Sequence, residues 1–305
     1  MSTQTSAHLQ KRKLHQALMF SLMGLGMLAV LLPTLYVFGT IVWNGWKQLT
    51  LAFLTQVPQD SGAAGGIGPV IAGTFALMVG TLVLALPLGI LSAIYLSEYA
   101  RKGPMVRAVR MAIVNLAGVP SIVHGLFGLV VFKLFLGGTL DRIIGVKEPY
   151  WQNRTLLWGA ATLAILVLPV VITATEEALT TVPRSFREGS MGLGATKWQT
   201  IWKIVLPAAV PGILTGAILA VGRAAGETAP ILFTAAVSYT TNTGFPKPND
   251  PVLALPYHLY YVVTQVASAP RQLQYGIALT LLLLVFAVNL IAIVIRARLR
   301  AGRKW

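Results

Sequence analysis

Cysteine is missing from all 305 residues, which excludes disulfides, thiolate metal sites and cysteine nucleophiles. Charge is scarce as well, at 11% of residues against roughly 25% in an ordinary soluble domain. Length alone would allow about two soluble domains, but this chain has too little polar side chain to cover two globular surfaces. Acid is scarcest, with 9 Asp and Glu against 24 Lys and Arg and a net charge of +15. Enzyme signatures are lacking too. There is no G-x-x-x-x-G-K-[ST] phosphate loop and no H-E-x-x-H, and the four histidines, His8, His15, His124 and His258, are scattered. Gly66 and Gly68 precede an apolar run and not a dinucleotide-binding helix. No catalytic residue and no metal site is expected.

Apolar length is what the chain has in abundance. Hydrophobic residues make up 55% of it and the mean hydropathy is +0.72. Uncharged stretches run over 14–46, 61–97, 111–132, 155–175, 204–222, 228–246, 251–270 and 272–295. A bilayer core about 30 Å thick needs about 20 apolar residues per helix, so lipid is the expected solvent. The runs predict spans near 17–43, 69–96, 108–136, 156–177, 208–237 and 273–295, which makes an all-α membrane protein with six transmembrane helices. The stretch 251–270 is interrupted by Pro251, Pro256 and Pro270 and carries Tyr257, His258, Tyr260 and Tyr261. Such an aromatic cluster suits a membrane interface, and the segment is expected to lie at the surface without crossing. The first run is too long for a signal-peptide core and no A-x-A-like site follows it, which predicts an uncleaved anchor.

Loops on the cytoplasmic side carry the excess of Lys and Arg. With the N-terminus inside, six spans place Lys11, Arg12, Lys13, Arg101, Lys102, Arg107, Arg110, Arg184, Arg187, Lys197, Lys203, Arg296, Arg298, Arg300, Arg303 and Lys304 inside, 16 of the 24 basic residues. Lys47, Arg142, Lys147, Arg154, Lys247 and Arg271 fall outside, and Lys133 and Arg223 lie at membrane depth. A seventh crossing would put the basic tail outside, so both termini are expected in the cytoplasm. Orientation thus explains most of the charge surplus, with no nucleic-acid partner. The chain divides into a cytoplasmic tail over 1–16, a six-helix membrane domain over 17–295 with its core at 66–295, and a basic cytoplasmic tail over 296–305.

The loop between spans four and five, 181–207, is the most informative stretch. It reads Glu188-Gly189-Ser190, three residues, Gly194, nine residues beginning with Ala195, then Ile204-Val205-Leu206-Pro207. Small residues at 189, 190, 194 and 195 would let a short helix lie deep in a partner's groove. Trp198, Ile201 and Trp202 would be its apolar anchors, Glu188 a charge contact, and Pro207 the end of the amphipathic stretch. The plainer reading is a loop resting on lipid headgroups through Lys197, Lys203 and the two Trp residues. The spacing resembles the loop signature of permease subunits of binding-protein-dependent ABC importers: E-A-A, three residues, G, nine residues, I-x-L-P. Gly189 and Ser190 stand where two alanines are usual, and Gly costs a helix about 1 kcal/mol against Ala.

Further segments narrow the resemblance. They are Gly66-Ile67-Gly68-Pro69, Pro87-Leu88-Gly89-Ile90 with Tyr95-Leu96-Ser97-Glu98-Tyr99, Val119-Pro120-Ser121-Ile122-Val123-His124-Gly125-Leu126-Phe127-Gly128, and Gly222-Arg223-Ala224-Ala225-Gly226-Glu227-Thr228-Ala229-Pro230. In order and spacing they resemble the PstA-type permease of the phosphate ABC importer over nearly all of 66–235. The resemblance implies a type I ABC importer permease fold in a bacterial cytoplasmic membrane. It also implies a PstC-type permease as partner, a PstB-type ATPase dimer that binds ATP and Mg inside, and a PstS-type phosphate-binding protein outside. Inorganic phosphate would be the substrate, and this chain would bind no cofactor itself. One departure is Thr173, where the family often carries Arg.

Arg223 and Glu227 are expected inside span five, four residues apart and hence on one helix face. An Arg at a helix centre costs about 2.5–3.5 kcal/mol on insertion scales, so such groups face a partner or a water-filled path. Gly212 and Gly216, and Gly222 and Gly226, follow small-xxx-small spacing, which marks span five as a wall of the subunit interface. Arg223, Glu227, Thr228, Ser121 and His124 are the candidate pathway residues. For the charged pair the alternative is a salt bridge that only fixes packing, and for His124 a helix–helix hydrogen bond. Lys133 is expected to snorkel to the headgroups, and Glu176 and Glu177 to form a solvated helix end. Rival functions are a permease for sulfate, molybdate or phosphonate, an ion-coupled secondary transporter with Arg223 and Glu227 as a proton relay, and a channel.

Overall fold

The computed structural model describes every residue except Met1, Lys102, Lys147, 239–243 and 302–305. Of the basic residues counted for orientation, Lys102, Lys147, Arg303 and Lys304 therefore lie outside the described residues. Among the described residues, six helices are long and apolar enough to cross a bilayer: His15–Gln48, Gly68–Tyr99, Ser121–Ile144, Leu156–Thr181, Lys197–Gly226 and Arg271–Arg298. They are numbered spans one to six below. The chain is a multi-pass membrane protein, and its spans alternate between two ends. One end carries the 184–200 loop, the start of span one and the end of span six; the opposite end carries 46–67, 148–155 and 244–270.

Spans two and four form the centre of the bundle, with span five packed on both and span one touching mainly span six. Lipid tails are as apolar as leucine, so association inside the bilayer relies on close packing and not on expulsion of water. Small residues supply the closeness. A side chain at Gly89 would place its Cβ 2.5 Å from Cγ1 of Val171, so only glycine allows spans two and four to approach there. Along span four, Leu163, Leu166, Val167, Val171 and Leu179 are fully enclosed.

Two predicted spans depart most from their expected limits. The run 108–136 is two helices, Pro104–Ala117 and the span starting at Ser121. Pro120 has no N–H to continue the helix and disfavours helical backbone at the residue before it, so the chain turns at 118–120. The first piece is amphipathic and has no buried residue. Span five runs over Lys197–Gly226 where 208–237 was expected. Pro207 does not end the amphipathic stretch. A wide π turn over Ile201–Val205 leads directly into the helix that begins at Leu206, which takes Pro207 in its first turn. At the other limit Glu227 is extended, with φ −77° and ψ 129°, and a separate short helix follows over Ala229–Thr234.

The segment around His258 forms a helix of 11 residues, Leu255–Gln265. At 1.5 Å per residue this is about 16 Å, too short to cross. It does not simply rest on a surface, for Leu255 and Val262 are buried against spans two and six, and His258 is buried beside Gly62. The backbone N–H of Leu255 donates to Thr74 Oγ1 on span two at 2.8 Å.

Candidate functional site

Arg223 stands one turn before the end of span five, and Glu227 is the first residue beyond it. The pair meets although Glu227 has left the helix, with Arg223 Nε 3.5 Å from Glu227 Oε1. Both side chains are partly open, at 34% and 19% exposure. The contact is an ion pair at the edge of range, and the guanidinium makes no hydrogen bond among the described residues. The expectation that both residues share one helix face is thus corrected: the helix stops at Gly226, and the loop after it brings the acid back.

The other candidate pathway residues sit on neighbouring elements. Gly125 allows span three to press on the segment after Thr228: a Cβ there would lie 2.8 Å from the Ala229 carbonyl oxygen and 3.0 Å from Pro230 Cα. This places Ser121 and His124 on the turn of helix beside Thr228. His124 is 4% exposed. Its Nδ1 lies 3.4 Å from the Pro120 carbonyl oxygen, and its Nε2 is buried with no hydrogen-bond partner. No hydrogen bond or ion pair joins Ser121, His124 or Thr228 to Arg223 among the described residues.

Beside this group an open, mainly apolar cleft of about 370 Å³ runs between the helix Pro104–Ala117 and spans four and five. Thr173 and Glu177 line it one turn apart, opposite Leu219, which is one turn from Arg223. Glu176 and Glu177 were expected to form a solvated helix end, but span four continues to Thr181. Glu176 instead pairs with Arg110 at 2.7 Å. The glycine stripe of span five is also reassigned. Gly212 packs on Ala178, and a Cβ at Gly216 would come within 2.7 Å of that of Ala174, so these two serve span four of the same chain. Lys133 on span three is half-buried.

The loop folds as two short helices, Arg184–Gly192 and Lys197–Thr200, joined through Gly194 at φ +87°. A left-handed residue there is comfortable only for glycine. Thr196 caps the second helix by accepting from the Gln199 N–H, and the Gln199 side chain accepts from the Thr196 N–H in return. Ser190 is tied to Thr200 at 2.9 Å between hydroxyl oxygens. Gly189 and Gly194 have open space where a side chain would be, and Glu188 is exposed. Ala195 and Leu206 are half-buried, while Ile204 and Pro207 face outward. Of the expected anchors, Trp198 and Trp202 are exposed and stack edge to face at 5.3 Å. Ile201 is a core residue at 1% exposure. Leu193, 92% exposed, and Met191 are the apolar groups that the loop reading missed; the gap between Ser190 and Gly194 contained them.

Residues outside the expected docking and pathway sets gather where the loop meets the bundle. Span two ends in a π turn over Tyr95–Tyr99. Arg187 Nη2 and Nε donate to Glu98 Oε1 at 2.7 and 3.2 Å, and its Nη1 and Nη2 also donate to the carbonyls of Val182 (2.6 Å) and Leu179 (2.8 Å) at the end of span four. Lys197 Nζ donates to the Glu98 carbonyl and stands 4.8 Å above the Tyr99 ring. Arg110 Nη2 donates to the Leu96 carbonyl at 3.0 Å.

The family described as binding-protein-dependent transport system inner membrane component matches residues 85–304. A probable ABC transporter permease protein, YqgI of Bacillus subtilis, is 33% identical over 253 residues, 79% of this chain and 81% of that one. The phosphate transport system permease protein PstA 1 of Mycobacterium tuberculosis is 35% identical over 87% of this chain and 83% of its own. PstA of Haemophilus influenzae is 30% identical over 95% and 96%. Among solved structures, a bacterial ABC transporter that imports the acidic polysaccharide alginate superposes with TM-score 0.64 at 16% identity, covering 95% of this chain and 99% of that one. The alginate transporter in complex with its periplasmic protein gives 0.55 at 18% identity, over 87% and 92%. At such identities the structures speak for the fold alone, the type I ABC importer permease arrangement.

Proposed function

Because the chain belongs to the family of binding-protein-dependent transport system inner membrane components, we propose that it is a membrane-spanning subunit of an ATP-driven importer of inorganic phosphate. The observation that carries this reading is the 30–35% identity with phosphate permeases over 86–95% of the chain. The chain forms half of the translocation path and has no catalytic residue of its own. A PstC-type permease supplies the other half. A PstB-type ATPase dimer binds ATP and Mg and docks on the loop, and a PstS-type protein delivers phosphate from outside. Both termini then lie in the cytoplasm, on the side that holds the loop.

The chemistry of the pair at the end of span five supports phosphate. A planar guanidinium can give two parallel hydrogen bonds to two oxygens of an oxyanion, and Arg223 is partly open, at 34% exposure, with its donors not used in hydrogen bonds among the described residues. Glu227 neutralises Arg223 when the path is empty, which lowers the cost of a charge at membrane depth. When phosphate arrives, the carboxylate accepts a hydrogen bond from a protonated phosphate oxygen. Sulfate carries no such proton at neutral pH, so the same carboxylate repels it. Thr173 leaves the cleft with one fewer cation than the family often has, and Arg223 with the partner permease's residues carries the anion.

The test is ATP-driven uptake by the assembled complex in vesicles. Arg223→Ala is expected to lower phosphate uptake about 10- to 100-fold, the loss of a charge-assisted hydrogen bond of about 1.5–3 kcal/mol. Glu227→Gln is expected to narrow the preference for phosphate over sulfate. Near-normal uptake and preference in both variants would remove the pair from the mechanism.

A further inference from the structure

We propose that Glu98 and Arg187 form the mechanical joint through which the ATPase-docked loop moves the walls of the path. The inference rests on the docking reading above and adds two positioning residues to it. Three cations from three segments, Arg187, Lys197 and Arg110, converge on the final turn of span two. Arg187 uses all three of its guanidinium nitrogens, and the ion pair is largely enclosed, at 19% exposure for Arg187 and 11% for Glu98. Its two carbonyl acceptors, Leu179 and Val182, lie at the end of span four. One side chain therefore ties the first loop helix to spans two and four together, and Lys197 ties the second loop helix to the same place.

An enclosed ion pair is costly to separate because each charge would be left without its partner. Displacement of the loop is thus shared by spans two and four and not absorbed by a slack hinge. Span four carries Thr173 and Glu177 of the cleft, so motion imposed on the loop reaches the path wall directly. The π turn at Tyr95–Tyr99 fits the role: its wide register frees backbone carbonyls, Leu96 and Glu98 among them, for the cations to hold. Exposure of Leu193 and Trp198 leaves the outer side of the loop to the ATPase while the inner side is anchored.

The experiment uses the complete complex in proteoliposomes and reads three quantities: ATPase retained on purification, ATP hydrolysed, and phosphate moved per ATP. Glu98→Gln is expected to keep ATPase binding and hydrolysis while phosphate moved per ATP falls about tenfold, the size of an ordinary coupling energy. Lys197→Met, which removes a peripheral contact, is expected to lower the ratio about fivefold, the low end of ordinary coupling. The chain has no cysteine, which permits a rescue: Glu98→Cys with Arg187→Cys should regain the ratio after treatment with a short bifunctional thiol cross-linker and not after a monofunctional reagent. An unchanged ratio in both single variants overturns the joint. A parallel loss of hydrolysis and uptake at constant ratio overturns it too, being the mark of a merely structural contact. Failure of the native complex to retain any ATPase is a different result, which sinks the docking reading itself.

Discussion

At the loop end of the bundle, Glu98 and Glu176 are each paired with an arginine from a distant segment, at 2.7 Å in both cases. At the opposite end Asp141 is satisfied by backbone: the N–H groups of Tyr150, Trp151 and Gln152 donate to its two oxygens at 3.0, 2.8 and 2.8 Å. Around it Trp158 donates through Nε1 to the Trp151 carbonyl and stacks on Phe132. The contrast teaches how each end serves the whole. Pairs between segments far apart in sequence link bodies that must move together. A carboxylate cradled by its neighbours fixes the local shape of a loop.

The largest effect expected to sharpen this contrast is the pH response of the opposite end. His258 is 1% exposed, and burial lowers its pKa from 6.5 to about 4. The folded chain therefore keeps the imidazole neutral where the unfolded chain protonates it. Above pH about 6.5 the two states bind equal protons and stability is full. As pH falls towards 4 about 3 kcal/mol is lost. Thermal unfolding in detergent should show this loss between pH 7 and 4, and His258→Gln should abolish that part of it. If the loss survives the substitution, His258 does not titrate as buried.

A smaller effect is expected at Asp141. Asp141→Asn replaces one acceptor oxygen by a donor amide facing an N–H, at a cost of about 2 kcal/mol. Trp151 and Trp158 lie beside the site, so tryptophan fluorescence during unfolding reads the change. Because backbone N–H groups and not cations hold the carboxylate, the cost should be nearly the same at low and high salt. A strong salt dependence would mean that the two ends are not held differently after all.

Much of this fold was legible because a bilayer demands apolar length, and the six spans follow from that alone. Their ends were less legible. Pro33, Pro87, Pro169 and Pro211 lie inside continuous helices, whereas breaks occur at 118–120 and after Gly226. In each break a glycine stands shortly before the proline, so the chain can leave helical backbone before the missing N–H is reached; proline alone did not separate the cases. The candidate site was half legible. Arg223 and Glu227 stand out as charges within long uncharged runs. Arg187 and Glu98 are 89 residues apart, and no local pattern announces a contact over that distance. Ile201 looked like an anchor because helical spacing gives an apolar stripe without saying whether it faces the chain's own core or a partner.

On the function proposed above, the loop after span four is gripped by an ATPase on the cytoplasmic side. Leu193 projects from that loop at 92% exposure in a chain with no cysteine, so Leu193→Cys supplies a single reporter. In the assembled, ATP-hydrolysing complex the thiol should cross-link to the ATPase through a short bifunctional reagent and resist membrane-impermeant labelling from outside. Labelling from outside, or an active complex in which residue 193 never cross-links to the ATPase, would contradict it.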